Sequence, residues 1–276
     1  MEKIIVNFCP TGMIPNKKDT PHIPVSASEI IEQVHEAYEM GITIAHLHAR
    51  DKNEVPTYRK GVYQTIFEGV RKHCPELVIC GSTSGRNFPE FEKRSEVIEL
   101  KPDMCSLTLS SLNFPKQASL NAPEMIGQLI VKMRKYGVAP ELECFDFGMI
   151  NYGKYLLKKQ MMEGRQYWNL IFGNIAGMQS IESHFQLALD DLPANHYVGL
   201  GGIGKFQLPT IEWAVNHGKG VRVGLEDNIW WNRKNDELAS NIQLIKYVHT
   251  LIEKAGKELM PAKEFGNDGF YNSKRD

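Results

Sequence analysis

No run of apolar residues approaches the ~18 that a membrane-spanning helix needs, so no membrane partner is expected. A secretory segment is missing too: Met1, Glu2 and Lys3 lead straight into "IIVNF", which is too short for a leader and reads as a strand. Neither sign of charge dominates. The 32 Lys and Arg meet 33 Asp and Glu for a net charge of −1, with no basic stripe, which argues against a nucleic-acid partner but leaves room for a local phosphate site. Cysteine is scarce and odd in number, at five, with no Cys-x-x-Cys pair. Cys9, Cys80, Cys105 and Cys144 lie in or beside apolar strand-like runs, so buried thiols in a reducing, cytoplasmic compartment are expected. There is no Walker A loop, no Gly-x-Ser-x-Gly elbow, and no linker or low-complexity tract. One domain over residues 1–276 is expected, with a polar, glycine-containing tail from about 257 to 276 that could cover a neighbouring subunit or one end of the fold.

What the chain does have is alternation. Apolar, β-branched runs at 3–8, 42–48, 77–82, 104–109, 140–145, 168–174, 196–202 and 220–227 alternate with amphipathic stretches at 26–41, 60–73, 89–99, 122–137, 149–163, 180–191, 207–218 and 237–256. Ser26 or Ser28 can cap the first helix and Gly41 can end it; a proline opens the fourth and a glycine closes it. Eight βα units require a parallel sheet, because each crossover needs a covering helix. The simplest closure is an α/β fold of the single (β/α)8 barrel type, with an open doubly wound sheet as the alternative.

In such a barrel the C-terminal ends of the strands converge on the face where chemistry is built. Polar residues gather at those ends: His46 and His48, Ser82 and Thr83, Ser106 and Thr108, Glu141 and Glu143, Asn174, Gly201 to Gly204, and Arg222 with Glu226 and Asp227. His46 and His48 are two apart and share a strand face, so both can reach one ion, and imidazole with a carboxylate such as Glu226 suits zinc. A pair of core histidines is the plainer alternative. In "RVGLEDN", Arg222 and Glu226, four apart on one strand, would share a face, with Asp227 swung inward by a turn. They form either a structural ion pair or a site in which Glu226 ligates metal and Asp227 is a base, a weak one unless desolvation raises its pKa. Gly202, Gly204 and Lys205 sit in the loop after strand seven, a usual phosphate location in barrels, although a tight turn explains the glycines equally well. "GSTSGR" at 81–86 offers Ser82 to a carboxylate or enolate oxygen, or as a helix cap.

Taken together, "TG" at 11–12, "HLHARD" at 46–51, "STSG" at 82–85, "LNF" at 112–114, "PELE" at 140–143, "GIGKFQLP" at 202–209 and "RVGLEDN" at 222–228 make the chain resemble the β-keto acid cleavage enzyme family. The resemblance implies a zinc-containing (β/α)8 barrel that reacts a β-keto acid with acetyl-CoA to give acetoacetate and a new CoA thioester. Carried over by position, it assigns the metal to His46, His48 and Glu226, and proton removal to Asp227 paired with Arg222. Ser82, Thr83 and Ser106 would contact the keto acid, Glu143 would be a polar partner, and the Gly202–Lys205 loop would meet CoA. Ser106 stands where the family has threonine. Ile14 stands where the member acting on an amino-substituted substrate has an acid, so a keto acid with a neutral or differently charged end is expected. A metal-dependent barrel hydrolase fits less well, since strands five and six offer Glu143 and Asn174 rather than histidines; a non-catalytic metal- or ligand-binding barrel is the third reading. Apolar residues around Trp230 and Trp231, expected to be exposed, suggest a homo-oligomer.

Overall fold

The computed structural model describes residues 2–232 and 234–275. Eight strands close in sequence order: β1 Val6–Phe8, β2 Ile44–Leu47, β3 Val78–Gly81, β4 Met104–Thr108, β5 Ala139–Cys144, β6 Tyr167–Phe172, β7 Tyr197–Gly202 and β8 Gly220–Val223. All neighbours are parallel, and β8 pairs back onto β1 through Arg222 opposite Asn7. Between them run α1 Ala27–Met40, α2 Lys60–His73, α3 Phe91–Arg94 with a 3-10 turn, α4 Pro123–Tyr136, α5 Phe147–Lys158, α6 Glu182–Asp190, α7 Gln207–Asn216 and α8 Asn241–Lys254. The chain is a TIM barrel, and the alternation seen in the sequence is its cause.

Period-two alternation decides what faces where. Val6, Phe8, Ala45, Leu47, Ile79, Leu107, Leu142, Leu170, Val221 and Val223 turn outward and pack under the helices in one core. The inward set at the lower end is a second apolar cluster of Ile5, Ile44, Val78, Met104 and Tyr167. The tail completes it. Glu258–Leu259 pairs with Lys3–Ile4, and the stacked rings of Phe265 and Phe270, 4.1 Å apart, close the barrel floor. The tail thus covers the lower face of its own barrel.

Three expectations need correction. The run 3–8 is two short strands, because Lys3–Ile4 leaves the barrel to pair with the tail. Strand eight ends at Val223 and does not reach 227; Gly224, at φ 152°, turns the chain, and Leu225 to Asn228 form the loop above it. Trp230 and Trp231 are half-buried rather than exposed: Trp231 meets the Tyr247 ring edge-on at 5.4 Å and Trp230 bridges to Leu238. All five cysteines are free and buried. Among the described residues no helix is long and apolar enough to cross a membrane.

Candidate active site

One step above the apolar floor the inward positions become polar: Asn7, His46, Cys80, Ser106, Glu141, Asn169 and Arg222, all buried. Barrel interiors are ordinarily filled by branched apolar side chains, so an ionisable layer here has to be internally satisfied. Glu141 does this. Its Oε1 accepts from Asn7 Nδ2 at 2.6 Å and Asn169 Nδ2 at 2.9 Å, and its Oε2 accepts from His46 Nδ1 at 2.6 Å and the Cys80 thiol at 3.1 Å. Burial opposes its charge, but His46 and Arg222 outweigh burial and hold the carboxyl at about 2.

His46 therefore has a fixed ring. Its Nδ1 is taken by Glu141, which leaves Nε2 facing up the barrel, 3.3 Å from His48 Nε2. Glu226 Oε1 lies 3.2 Å from His48 Nε2 and 3.9 Å from His46 Nε2. The three donor atoms thus form a triangle with edges of 3.3, 3.2 and 3.9 Å. A tetrahedron with metal–ligand bonds of about 2.0–2.1 Å has edges of roughly 3.3 Å; the two edges at His48 match this, and the His46–Glu226 edge at 3.9 Å is longer. Glu226 Oε2 is buried without a hydrogen-bond partner, so this carboxylate keeps one open oxygen beside the Oε1 that Arg222 holds. The donor set, two imidazoles and a carboxylate with a carboxylate behind one imidazole, fits a zinc-type site. His46, Cys80 and Glu141 also cluster. That trio shares His46 through its other nitrogen, and burial pushes the Cys80 thiol well up, so it serves as support behind the first set.

Glycine makes room for Glu226. A Cβ on Gly12 would lie 2.5 Å from Glu226 Cγ, and one on Gly224 would lie 2.0 Å from the Cys9 carbonyl oxygen. Arg50 fixes the loop after β1 by donating to the carbonyls of Gly12 (2.5 Å), Pro15 (2.7 Å) and Glu54 (3.0 Å).

Arg222 joins the metal-type triangle to three acids. It donates through Nε to Asp227 Oδ2 at 2.8 Å and through Nη2 to Glu226 Oε1 at 2.7 Å, and its Nη1 lies 3.6 Å from Glu143 Oε1. Arg222 and Glu226 do meet, though through the loop and not along a shared strand face. Nη1 is buried and makes no hydrogen bond. A Cβ on Gly201 would come within 3.0 Å of Arg222 Cβ, so the small residue on β7 admits the guanidinium. Ionisation divides the acids. Burial tends to raise Glu226, but Arg222, His48 and His46 win and hold it well below the carboxylate range. For Asp227 burial prevails over Arg222, helped by repulsion from Glu226, and its pKa is raised. Burial also raises Glu143, which accepts from Thr108 Oγ1 at 2.7 Å. Burial is outweighed at His46, where Glu141 and Glu226 push the ring up to about 9; at His48 burial wins and the pKa falls.

The hydroxyls line the neighbouring wall. Thr83 N–H donates to Ser106 Oγ at 3.1 Å and Thr83 Oγ1 to the Ser106 carbonyl at 2.6 Å, while Ser82 Oγ accepts from Ser84 N–H at 3.2 Å. Ser82, Thr83 and His48 line one cleft together with Met13, Tyr58 and Phe88. Gly202, Gly204 and Lys205 are less committed. A Cβ on Gly202 would meet the Phe206 carbonyl at 2.3 Å, and Gly204 N–H donates to the Asp227 carbonyl at 2.8 Å. The glycines make a tight turn that ties the loop to Asp227, while Lys205 is exposed.

Sequence reasoning gave no role to Glu141, Asn7, Asn169, Arg50 or Thr108. The first three share the inward parity of His46 and Arg222, and that period-two pattern was the available signal.

A parallel barrel with a histidine–carboxylate ligand set and an arginine-anchored acid at its C-terminal mouth belongs to the barrel enzymes. The particular class follows from comparison. A model of the beta-keto acid cleavage enzyme family matches residues 3–266, and the chain belongs to that family. It is 32% identical over 256 residues to the 3-oxoadipate:acetyl-CoA acetyltransferase of Cupriavidus necator, covering 92% of this chain and 89% of that protein. It is 29% identical over 265 residues to the 3-keto-5-aminohexanoate cleavage enzyme of Acetoanaerobium sticklandii, covering 96% and 97%. Against the 3-dehydrocarnitine:acetyl-CoA trimethylamine transferase of Rhizobium meliloti it is 26% identical, covering 95% and 94%. Among solved structures, ObcA superposes with a TM-score of 0.78 at 17% identity, over 91% of this chain and 66% of that one, a likeness of fold. The chain is an enzyme of the β-keto acid cleavage kind.

Proposed function

We propose that the enzyme transfers the carboxymethyl unit of a β-keto acid to acetyl-CoA, giving acetoacetate and a new acyl-CoA, and that His46, His48 and Glu226 hold a zinc ion. The observation that carries the reading is the donor triangle set beside an acid of raised pKa, Asp227, on a shared arginine. When bound, the cation supplies a Lewis acid for the keto oxygen and stabilises negative charge developing there. Asp227 takes the proton from the carbon between the two carbonyl groups. The carbanion attacks the acetyl carbonyl and releases the CoA thiolate. The thiolate then attacks the original keto carbon, the old carbon–carbon bond breaks, and Asp227 returns its proton to the acetoacetate carbanion. Arg222 orients Asp227 and offers Nη1 to a developing oxyanion. Ser82, Thr83 and Ser106 line the substrate wall, and Glu143, with its raised pKa, is the second polar partner. Lys205, exposed after β7 beside Gly202 and Gly204, would meet the CoA phosphates.

Ile14, in the loop after β1 and 59% exposed, offers no charge to an ammonium-bearing substrate, which favours a neutral or anionic end. Cytoplasmic location and a homo-oligomeric state belong to the same proposal; a clean monomer by sedimentation would remove the latter. The test is a panel of β-keto acids incubated with acetyl-CoA, with acetoacetate measured before and after chelation. Acetoacetate should form, vanish with the metal and return with zinc. Turnover that survives complete metal removal would overturn the assignment.

A further inference from the structure

Arg86 sits on the loop between β3 and α3, and the mechanism above does not use it. Its place is built. Gly85 before it has no room for a side chain: a Cβ would fall 2.5 Å from Arg94 Nη1 and 2.8 Å from the Leu120 carbonyl oxygen. Arg94 pins the same loop by donating to the Thr83 carbonyl at 2.8 Å and to Asn121 Oδ1 at 2.7 Å. The Arg86 guanidinium lies over the Phe114 ring at 3.6 Å, and that ring meets Phe145 edge-on at 5.6 Å. The cation is thus held flat against a rigid aromatic wall contributed by the segment after β4.

Its charge is unanswered. Nε is buried with no hydrogen-bond partner, and among the described residues no carboxylate forms an ion pair with the guanidinium. Burial lowers its pKa, while Glu226, Glu143 and Asp227 act in the opposite direction, which places it in the field of the site acids without contact to them. A half-buried guanidinium with a buried, unpaired Nε is costly unless a ligand supplies a carboxylate. The remaining cations of the site are engaged: Arg222 with its three acids, Arg94 and Arg50 with carbonyl and amide oxygens.

We infer that Arg86 determines substrate choice by pairing with a second carboxylate at the far end of the keto acid, so that the preferred substrates are β-keto diacids. This rests on the reaction proposed above and names its substrate class. The reacting end is held at the histidine–glutamate triangle, and the far end of a chain several atoms long reaches the wall formed by Arg86 and Phe114. An ammonium there meets a like charge, and a neutral tail leaves the guanidinium unpaired.

The test compares 3-oxoadipate with 3-oxohexanoate, which has the same chain length and one charge fewer, in the wild type, Arg86→Gln and Arg86→Lys. Binding of the unreactive pair adipate and hexanoate is measured by calorimetry alongside. The wild type should favour the diacid. Arg86→Gln should lose about ten- to a hundredfold in kcat/KM for 3-oxoadipate, chiefly through KM, with 3-oxohexanoate and the KM for acetyl-CoA nearly unchanged. Arg86→Lys should keep most of the preference. Equal losses on both acids, or a rise confined to the acetyl-CoA KM, would overturn the inference, the latter by assigning Arg86 to a CoA phosphate. If no keto acid turns over, an Arg86-dependent preference for adipate over hexanoate would uphold the anion site while the proposed reaction failed. Absence of that preference would sink the inference by itself.

Discussion

Replacing Glu141 by glutamine removes one charge and almost no volume, and its cost follows from the bonds it breaks. The carboxylate accepts four hydrogen bonds, two on each oxygen: Asn7 and Asn169 on Oε1, His46 and Cys80 on Oε2. An amide can accept on one side only, so the NH2 group has to face two donors. Turned toward the asparagines, it can be relieved in part, because Asn169 Oδ1 has no partner and that amide can flip to accept. Asn7 is then left facing a donor, at about 1–3 kcal/mol, and the His46 bond falls from charge-assisted to neutral. A total loss of roughly 3–5 kcal/mol is expected, the range for breaking a buried pair. At about 2–4 °C per kcal/mol for a domain of this size, Tm should drop by about 6–20 °C. In the proposed site His46 is also the inner metal ligand, and loss of the carboxylate behind such an imidazole should weaken metal binding by about 10–100-fold. Calorimetric unfolding and competition against a chelator of known affinity would measure both. A Glu141→Gln protein with wild-type Tm and wild-type metal affinity would refute the idea that this acid organises the site.

Asp227→Asn should keep fold and bound metal and lose turnover by about 10²–10⁴-fold, as read by kcat with metal content measured on the same sample; unchanged kcat would remove Asp227 as the base. Gly12→Ala should push Glu226 from its place, since the new Cβ would lie 2.5 Å from Glu226 Cγ, and metal content should fall while α1 and the sheet remain folded by circular dichroism. Glu29→Gln probes the start of α1. Burial opposes the Glu29 charge, but Lys17 and the Ser26 and Val25 N–H groups draw its pKa from 4.5 down to about 2. A depressed carboxyl stabilises above its unfolded pKa. The variant should therefore be less stable by about 0.5–1 kcal/mol at neutral pH after solvent screening, a difference that closes between about pH 4.5 and pH 2 in denaturant titrations.

The barrel was legible because its cause is local. Each run such as "LVICGS" or "HYVGLGG" announces a buried strand, and each helix carries its own start and stop, as Ser26 with Glu29 and Gly41 do for α1. The metal-type set was legible for the same reason: His46 and His48 are two apart, at the end of β2 and just beyond it. The path of Glu226 was not, because an apolar run through Leu225 looks like strand while Gly224 turns it, and only the backbone shows a φ of 152° there. Glu141 was visible as a strand residue but not as the keystone under His46, since a long-range hydrogen bond between β2 and β5 leaves no mark in spacing. Trp230 and Trp231 misled for the opposite reason: two large apolar residues in a polar loop look exposed until Tyr247 on α8 is known to meet one of them.

Two adjacent carboxylates, Glu226 and Asp227, share one guanidinium and yet have their pKa values pushed in opposite directions, and this division makes the site chemically useful. Glu226 also faces two imidazoles, which with Arg222 outweigh burial, and it stays an anion fit to hold a cation. Burial prevails at Asp227 over the arginine and the more distant His46, and the fixed negative charge of Glu226 beside it adds to the penalty. Its affinity for a proton rises for that reason, which a carboxylate needs in order to take one from carbon. The same arginine prevents the rise from going too far and keeps Asp227 oriented. Composition alone would make the two acids interchangeable. The turn at Gly224 separates them: it carries Glu226 over the histidines and leaves Asp227 against Arg222 alone.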